Sequence, residues 1–247
     1  MNASFDVAKL NNPLYTVRCL GQGLKLLARP ELRHFVWIPL LINFVLFALG
    51  LWAVRHYFDA VIAYFLPDWL MWLRGFIWPL VATSFVILTL FSFTLLANIV
   101  GAPFYGILAE KVAVLLGLPA VPEVQEPWPK AVLRSLQAET ARLRYYLVRA
   151  APMLLLFLIP GVNVFASFLW LAFNGWFLAL EYTSYPLERY GCGFAEQRQL
   201  LGKARIMAAG FGVLVALGLA VPLLNVLMPP AAVAGAVIYI AGARRAD

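Results

Sequence analysis

The residues in this chain best placed for chemistry point to holding a negative charge rather than breaking a bond. Arg18, Gln22, Lys25 and Arg29 follow one another at steps of four, three and four, which puts them on one face of a helix. Opposite them Leu14, Val17, Leu20, Leu24 and Leu27 make an apolar side, so the segment from Pro13 predicts an amphipathic helix. Pro30 should end it, and Gly21 and Gly23 would let backbone N–H groups come close to a ligand. Such a helix could hold an anion, or could simply lie in the lipid interface with its cations toward headgroups.

Other reactive groups are sparse. His34 and His56 flank one apolar run, which suits interfacial anchors better than proton sensors. Glu110 and Glu181 stand at the ends of apolar runs, where facing water or an arginine is expected. Cys19 and Cys192 fall outside any C-x-x-C or zinc-ligand spacing and read as reduced packing residues. The chain has no G-x-x-x-x-G-K-[ST] phosphate loop, no G-x-G-x-x-G and no H-E-x-x-H, so neither ATP hydrolysis, a cofactor nor a metal is expected.

What positions these residues is apolar helix. Residues 35–54 carry no charge, and twenty residues at about 1.5 Å each match a bilayer core of roughly 30 Å. A buried soluble helix would normally show a polar stripe, and none is present. Residues 76–100 form a second charge-free run, in which Ser84, Thr89, Ser92, Thr94 and Asn98 suit helix contacts or a polar pathway. Between the runs, Trp69 and Trp72 fit an interfacial belt, and Pro103 should bend or stop the second helix. With 63% hydrophobic and 13% charged residues, the whole chain predicts an all-α integral membrane protein forming one domain. Lys9, Asn11, Asn12 and Arg18 stand where a signal peptide would be apolar, so the N-terminal segment is expected to be retained.

Residues 1–34 thus form an amphipathic entry, and 110–149 cytoplasmic or interfacial helices after a proline-rich connector through Pro119, Pro122, Pro127 and Pro129. In the last of these, Val132, Leu133, Leu136, Leu143 and Leu147 form an apolar side, and Arg134, Arg142, Arg144 and Arg149 a solvated one. Residues 150–180 and 206–243 are charge-free but broken, the first at Ile159-Pro160-Gly161-Val162-Asn163 and the second at Pro222-Leu223-Leu224-Asn225 and again at Pro229-Pro230. Both share Pro-x-x-Asn-Val. Exposed backbone at such a break must be covered by protein or water, or lie at a tip. Two proline-broken hairpins that partly penetrate the membrane satisfy this, as do two pairs of tight spans. Either arrangement puts 17 of the Lys and Arg residues on one side and two, Arg55 and Arg74, on the other. The positive-inside rule then makes both termini cytoplasmic and accounts for the net charge of +7 through anionic lipid, without nucleic acid.

One resemblance adds to this. Gly23-Leu24-Lys25, Arg29-Pro30, Arg33-His34-Phe35-Val36 and Ile38-Pro39-Leu40-Leu41-Ile42-Asn43 resemble the start of the CysZ sulfate-permease family. Pro67-Asp68-Trp69-Leu70, Ala102 to Glu110, Leu158-Ile159-Pro160-Gly161 and Pro222-Leu223-Leu224-Asn225 continue the likeness in order. It implies a bacterial inner-membrane protein that takes up sulfate for cysteine biosynthesis, with two long spanning helices, two hairpins and a homo-oligomer built from dimers. The family's sulfate motif, Gly-Leu-Arg, falls on Gly23, Leu24 and Lys25, with Arg29 close behind. Lys25 keeps the charge but lacks the planar fork that grips two oxygens at once. A non-transporting scaffold that binds anionic lipid and partner proteins is the alternative of a different class.

Overall fold

The computed structural model describes residues 5–65, 68–119 and 128–244. Among these the protein is all-α, with one isolated antiparallel bridge between Phe5 and Arg244. It falls into two compact bodies, Met1–Arg33 with Tyr105–Asp247, and His34–Phe104. Pro122 and Pro127 of the expected connector, and the side chains of Thr89, Ser92, Thr94 and Asn98, lie outside what is described.

The body His34–Phe104 is built from α3 (Pro30–Phe65) and α4 (Arg74–Leu115), with a short 3-10 helix Asp68–Leu73 between them. Both helices contain the charge-free runs expected at 35–54 and 76–100. Phe85 seats on Gly50, where any side chain would collide with its ring, and Phe58 meets Trp78 edge-on at 4.6 Å. These pairs set the two helices antiparallel. Trp69 and Trp72 are exposed, and the His56 ring stacks on Trp52 at 5.2 Å. Pro103 does not stop α4, which runs on to Leu115. A proline inside a long apolar helix costs about one backbone hydrogen bond, which the flanking turns can absorb.

The other body begins with α1 (Val7–Leu10) and α2 (Pro13–Leu26) and continues with α5 (Trp128–Leu156), α6 (Asn163–Arg189), α7 (Phe194–Gly202), α8 (Arg205–Leu219) and α9 (Pro222–Ala243). Its helices pair as hairpins. Helices α5 and α6 turn at 157–162, where Gly161 adopts φ +82°, a left-handed conformation that favours glycine. Leu158, Val164, Phe165 and Phe168 around this tip are exposed, an apolar end suited to lipid rather than water. Helices α8 and α9 turn at Ala220-Val221, and Met228 packs on Gly218. Pro229 and Pro230 leave α9 unbroken, so α9 has 22 residues and α6 has 27. Each is longer than the sequence breaks suggested and, by length and composition, can cross a bilayer. Helices α7 and α8 meet at a bend of 106°.

Small residues bring the helices together. A side chain at Gly212 would collide with the Gly175 carbonyl, so α6 and α8 pack at backbone distance. Behind this contact lies a core of Leu180, Leu187, Leu201, Tyr239 and Ile240. Tyr239 stacks on Phe211 at 5.8 Å and donates to the Leu10 carbonyl at 2.6 Å, which satisfies its buried hydroxyl.

Candidate anion site at the turn between α2 and α3

Helix α2 is started by Asn12, whose side chain accepts from the Tyr15 N–H at 3.1 Å, and by Pro13 in the first turn. Its buried face is Thr16, Cys19 and Gly23, at steps of three and four. This face lies on α9. A Cβ at Gly23 would stand 2.5 Å from the Ala231 carbonyl and 2.8 Å from the Gly235 Cα, and one at Gly235 would press on Leu20 and the Cys19 carbonyl. The Tyr15 hydroxyl donates to the Ile238 and Tyr239 carbonyls at 3.0 and 2.8 Å. Burial pushes the Cys19 thiol up to about 11, so it stays protonated and packs as a small apolar group.

The apolar stripe read from spacing therefore does not face the protein. Leu14, Val17 and Leu24 are exposed, and among the five only Leu27 is buried. The small residues beside that stripe allow a closer approach to α9 than leucines would, and close packing is what associates helices in a membrane. The stripe is left outward next to Arg18, Gln22 and Lys25, which are also exposed. In α5 the outcome is mixed. Arg144 and Arg149 are exposed as expected, but Arg142 is buried and pairs with Glu188 at 3.3 Å, and Leu143 and Leu147 are exposed. The side chains of Val132, Leu133, Arg134 and Leu136 lie outside what is described.

Of the four residues singled out, Leu24, Lys25 and Arg29 are exposed at the end of α2 and in the turn that follows. Gly23 faces the other way, into α9, and its amide belongs to the helical ladder. Gly21 has nothing within 4 Å of an added Cβ. The turn is shaped by backbone bonds from Ala28 N–H to the Lys25 carbonyl at 3.2 Å and from Arg29 N–H to the Leu26 carbonyl at 3.0 Å. Pro30 opens α3, and the Arg33 Nε donates back to the Ala28 carbonyl at 2.9 Å. Lys25, Arg29 and Arg33 thus stand within nine residues of chain around a helix junction, all exposed, with the exposed Glu31 among them.

A second polar feature was invisible as a pair in the sequence. Arg189 at the end of α6 grips Glu110 of α4 with Nε at 2.7 Å and a second nitrogen at 3.2 Å, and donates to the Pro119 carbonyl at 2.7 Å. Glu110 at the end of its apolar run does face an arginine, as its position suggested.

The family model described as Sulfate transporter CysZ/Etoposide-induced protein 2.4 matches residues 19–230. A protein named Sulfate transporter CysZ in Pseudomonas aeruginosa is 39% identical over 236 residues, 93% of this chain and 94% of the relative. One of the same name in Pseudomonas fluorescens is 38% identical over 245 residues, 96% of each. One in Pectobacterium atrosepticum is 36% identical over 220 residues, 87% of this chain and 80% of the relative. With the match running from α2 into α9 and through both bodies, the chain belongs to the Sulfate transporter CysZ/Etoposide-induced protein 2.4 family.

Proposed function

We propose that this protein takes up sulfate across the bacterial inner membrane for cysteine biosynthesis, as a permease or channel and not as an enzyme. The observation that carries this is similarity over nearly the whole chain to relatives named Sulfate transporter CysZ. Transport in place of a lipid-binding scaffold is favoured by those names. Sulfate meets the protein at the α2 to α3 turn, where Gly23 docks α2 on α9 and Leu24, Lys25 and Arg29 face outward. Lys25, a point charge in place of a fork, and Arg29 replace part of the dianion's hydration and still release it, which a transport site requires.

The whole chain works as one membrane unit within a homo-oligomer of dimers, with the outward stripe of α2 in contact with anionic lipid. The Phe5–Arg244 bridge and the Asp6 N–H bond to the Ala243 carbonyl at 2.7 Å support termini on one face. The distribution of Lys and Arg supports that face being cytoplasmic.

Sulfate binding to the purified protein tests the site. Lys25→Ala is expected to weaken binding about tenfold or more, the worth of one charge-assisted hydrogen bond. Lys25→Arg, which restores the fork, is expected to strengthen it severalfold. Binding that is the same in both variants as in the native chain would remove Lys25 from the site.

A further inference from the structure

Three arginines from three helices gather on two aromatic rings. Arg149 of α5 lays its guanidinium 3.8 Å from the Tyr145 ring centre, and Arg198 of α7 lies 5.3 Å from the same centre. The Arg149 and Arg198 guanidinium carbons can therefore be no farther apart than the sum of those two distances. Arg205, the first residue of α8, lies 5.5 Å from the Trp176 ring centre. The two rings form one floor, because the Trp176 indole N–H donates to the Tyr145 hydroxyl at 2.9 Å. That floor is fixed, since Trp176 belongs to the buried core and Phe194 packs edge-on against Tyr145.

All three arginines are exposed, and none pairs with a carboxylate among the described residues. Of the nearby acids, Glu196 of α7 accepts from the Gly193 N–H at 2.8 Å, and Glu188 of α6 pairs with Arg142. Neighbouring like charges repel, and a cation in the first turn of a helix opposes the helix dipole. Ala204 before Arg205 offers no side chain to cap α8. One anion would relieve all of these at once.

Position in the sequence says which anion. Arg149 is the last charge before residues 150–180, and Arg205 the last before 206–243, so both stand where the polar and apolar parts of the hairpins meet. Their neighbours Val148 and Ile206 are 64% and 76% exposed. A free oxyanion would use the guanidiniums but gain nothing from that apolar flank, whereas a lipid uses both. We propose that Arg149, Arg198 and Arg205 form a binding site for an anionic phospholipid, the guanidiniums holding its phosphodiester and the flank at Val148 and Ile206 meeting its acyl chains.

Native mass spectrometry of the delipidated full chain, titrated with phosphatidylglycerol or phosphatidylcholine, tests this. The native protein should prefer phosphatidylglycerol. Arg198→Gln with Arg205→Gln should lower that affinity about 25-fold, a factor of about five per arginine at a lipid surface. The charge-matched pair Arg55→Gln with Arg144→Gln, both exposed positions, should lower it no more than about twofold. Arg198→Lys, which leaves the charge but not the fork, should lower it severalfold and serves if the double variant melts early. No preference in the native chain, equal loss in the two double variants, or unchanged affinity in Arg198→Lys would each overturn the site. Displacement of phosphatidylglycerol by an equal concentration of free sulfate would overturn the lipid assignment in favour of a free-oxyanion site.

Discussion

Gly21 and Gly23 are two residues apart in α2 and differ in what surrounds them. Gly21 is open, and Gly23 is closed by Ala231 and Gly235 of α9. Gly23→Ala must push two helices apart or strain their backbones, for an expected loss of about 1–3 kcal/mol. Gly21→Ala adds a methyl to free space and improves helix propensity, so it should be neutral or stabilising by up to about 1 kcal/mol. Thermal melting of the two variants in detergent checks this, and equal melting temperatures would contradict the docking of α2 on α9. The glycine motif was legible in the sequence, but its partner was not. Gly235 lies more than two hundred residues away in a run of small apolar residues where each position looks equivalent. Spacing also marks which residues share a helix face without saying which face turns inward. In α2 the small face won over the leucine face because lipid solvates leucine as well as a protein core does.

At the scale of elements, charge-free length was the dependable signal. It located α3 and α4, and the turn at 157–162 came where Pro160 and Gly161 interrupted the apolar run. The second turn, at 220–221, precedes the expected break, since Pro222 starts α9 and Asn225 lies inside it. Proline by itself was less informative, since Pro103, Pro229 and Pro230 all lie inside helices. A proline disturbs only its own turn, whereas Ile159-Pro160-Gly161 combines the missing donor with a left-handed glycine and does reverse the chain. The Arg189–Glu110 clamp depends on a contact between α4 and α6 that no local pattern announces. Arg189 is 6% exposed in its side chain and Glu110 48%, so the carboxylate can rehydrate when its partner is removed. Arg189→Ala should therefore cost about 1–2 kcal/mol, less than breaking a fully buried pair. Arg189→Lys should recover under half of that, because one ammonium cannot serve both carboxylate oxygens and the Pro119 carbonyl. Chemical or thermal denaturation measures both, and full recovery by lysine would show that charge alone holds the clamp.

For the whole molecule, the pieces combine into an all-α membrane protein whose termini meet at the Phe5–Arg244 bridge and whose cationic turn follows a helix locked on α9. A cationic turn alone would only collect anions. Transport requires that sulfate reach it and leave on the far side, which makes flux, rather than affinity, the property that separates a permease from a lipid-binding scaffold. The decisive measurement is uptake of labelled sulfate into liposomes that contain only this protein, native or Lys25→Ala, with both forms shown to be folded. The native chain is expected to carry sulfate well above empty liposomes without ATP, and Lys25→Ala to lose most of that flux. Native protein that moves no more sulfate than empty liposomes would contradict the transport function.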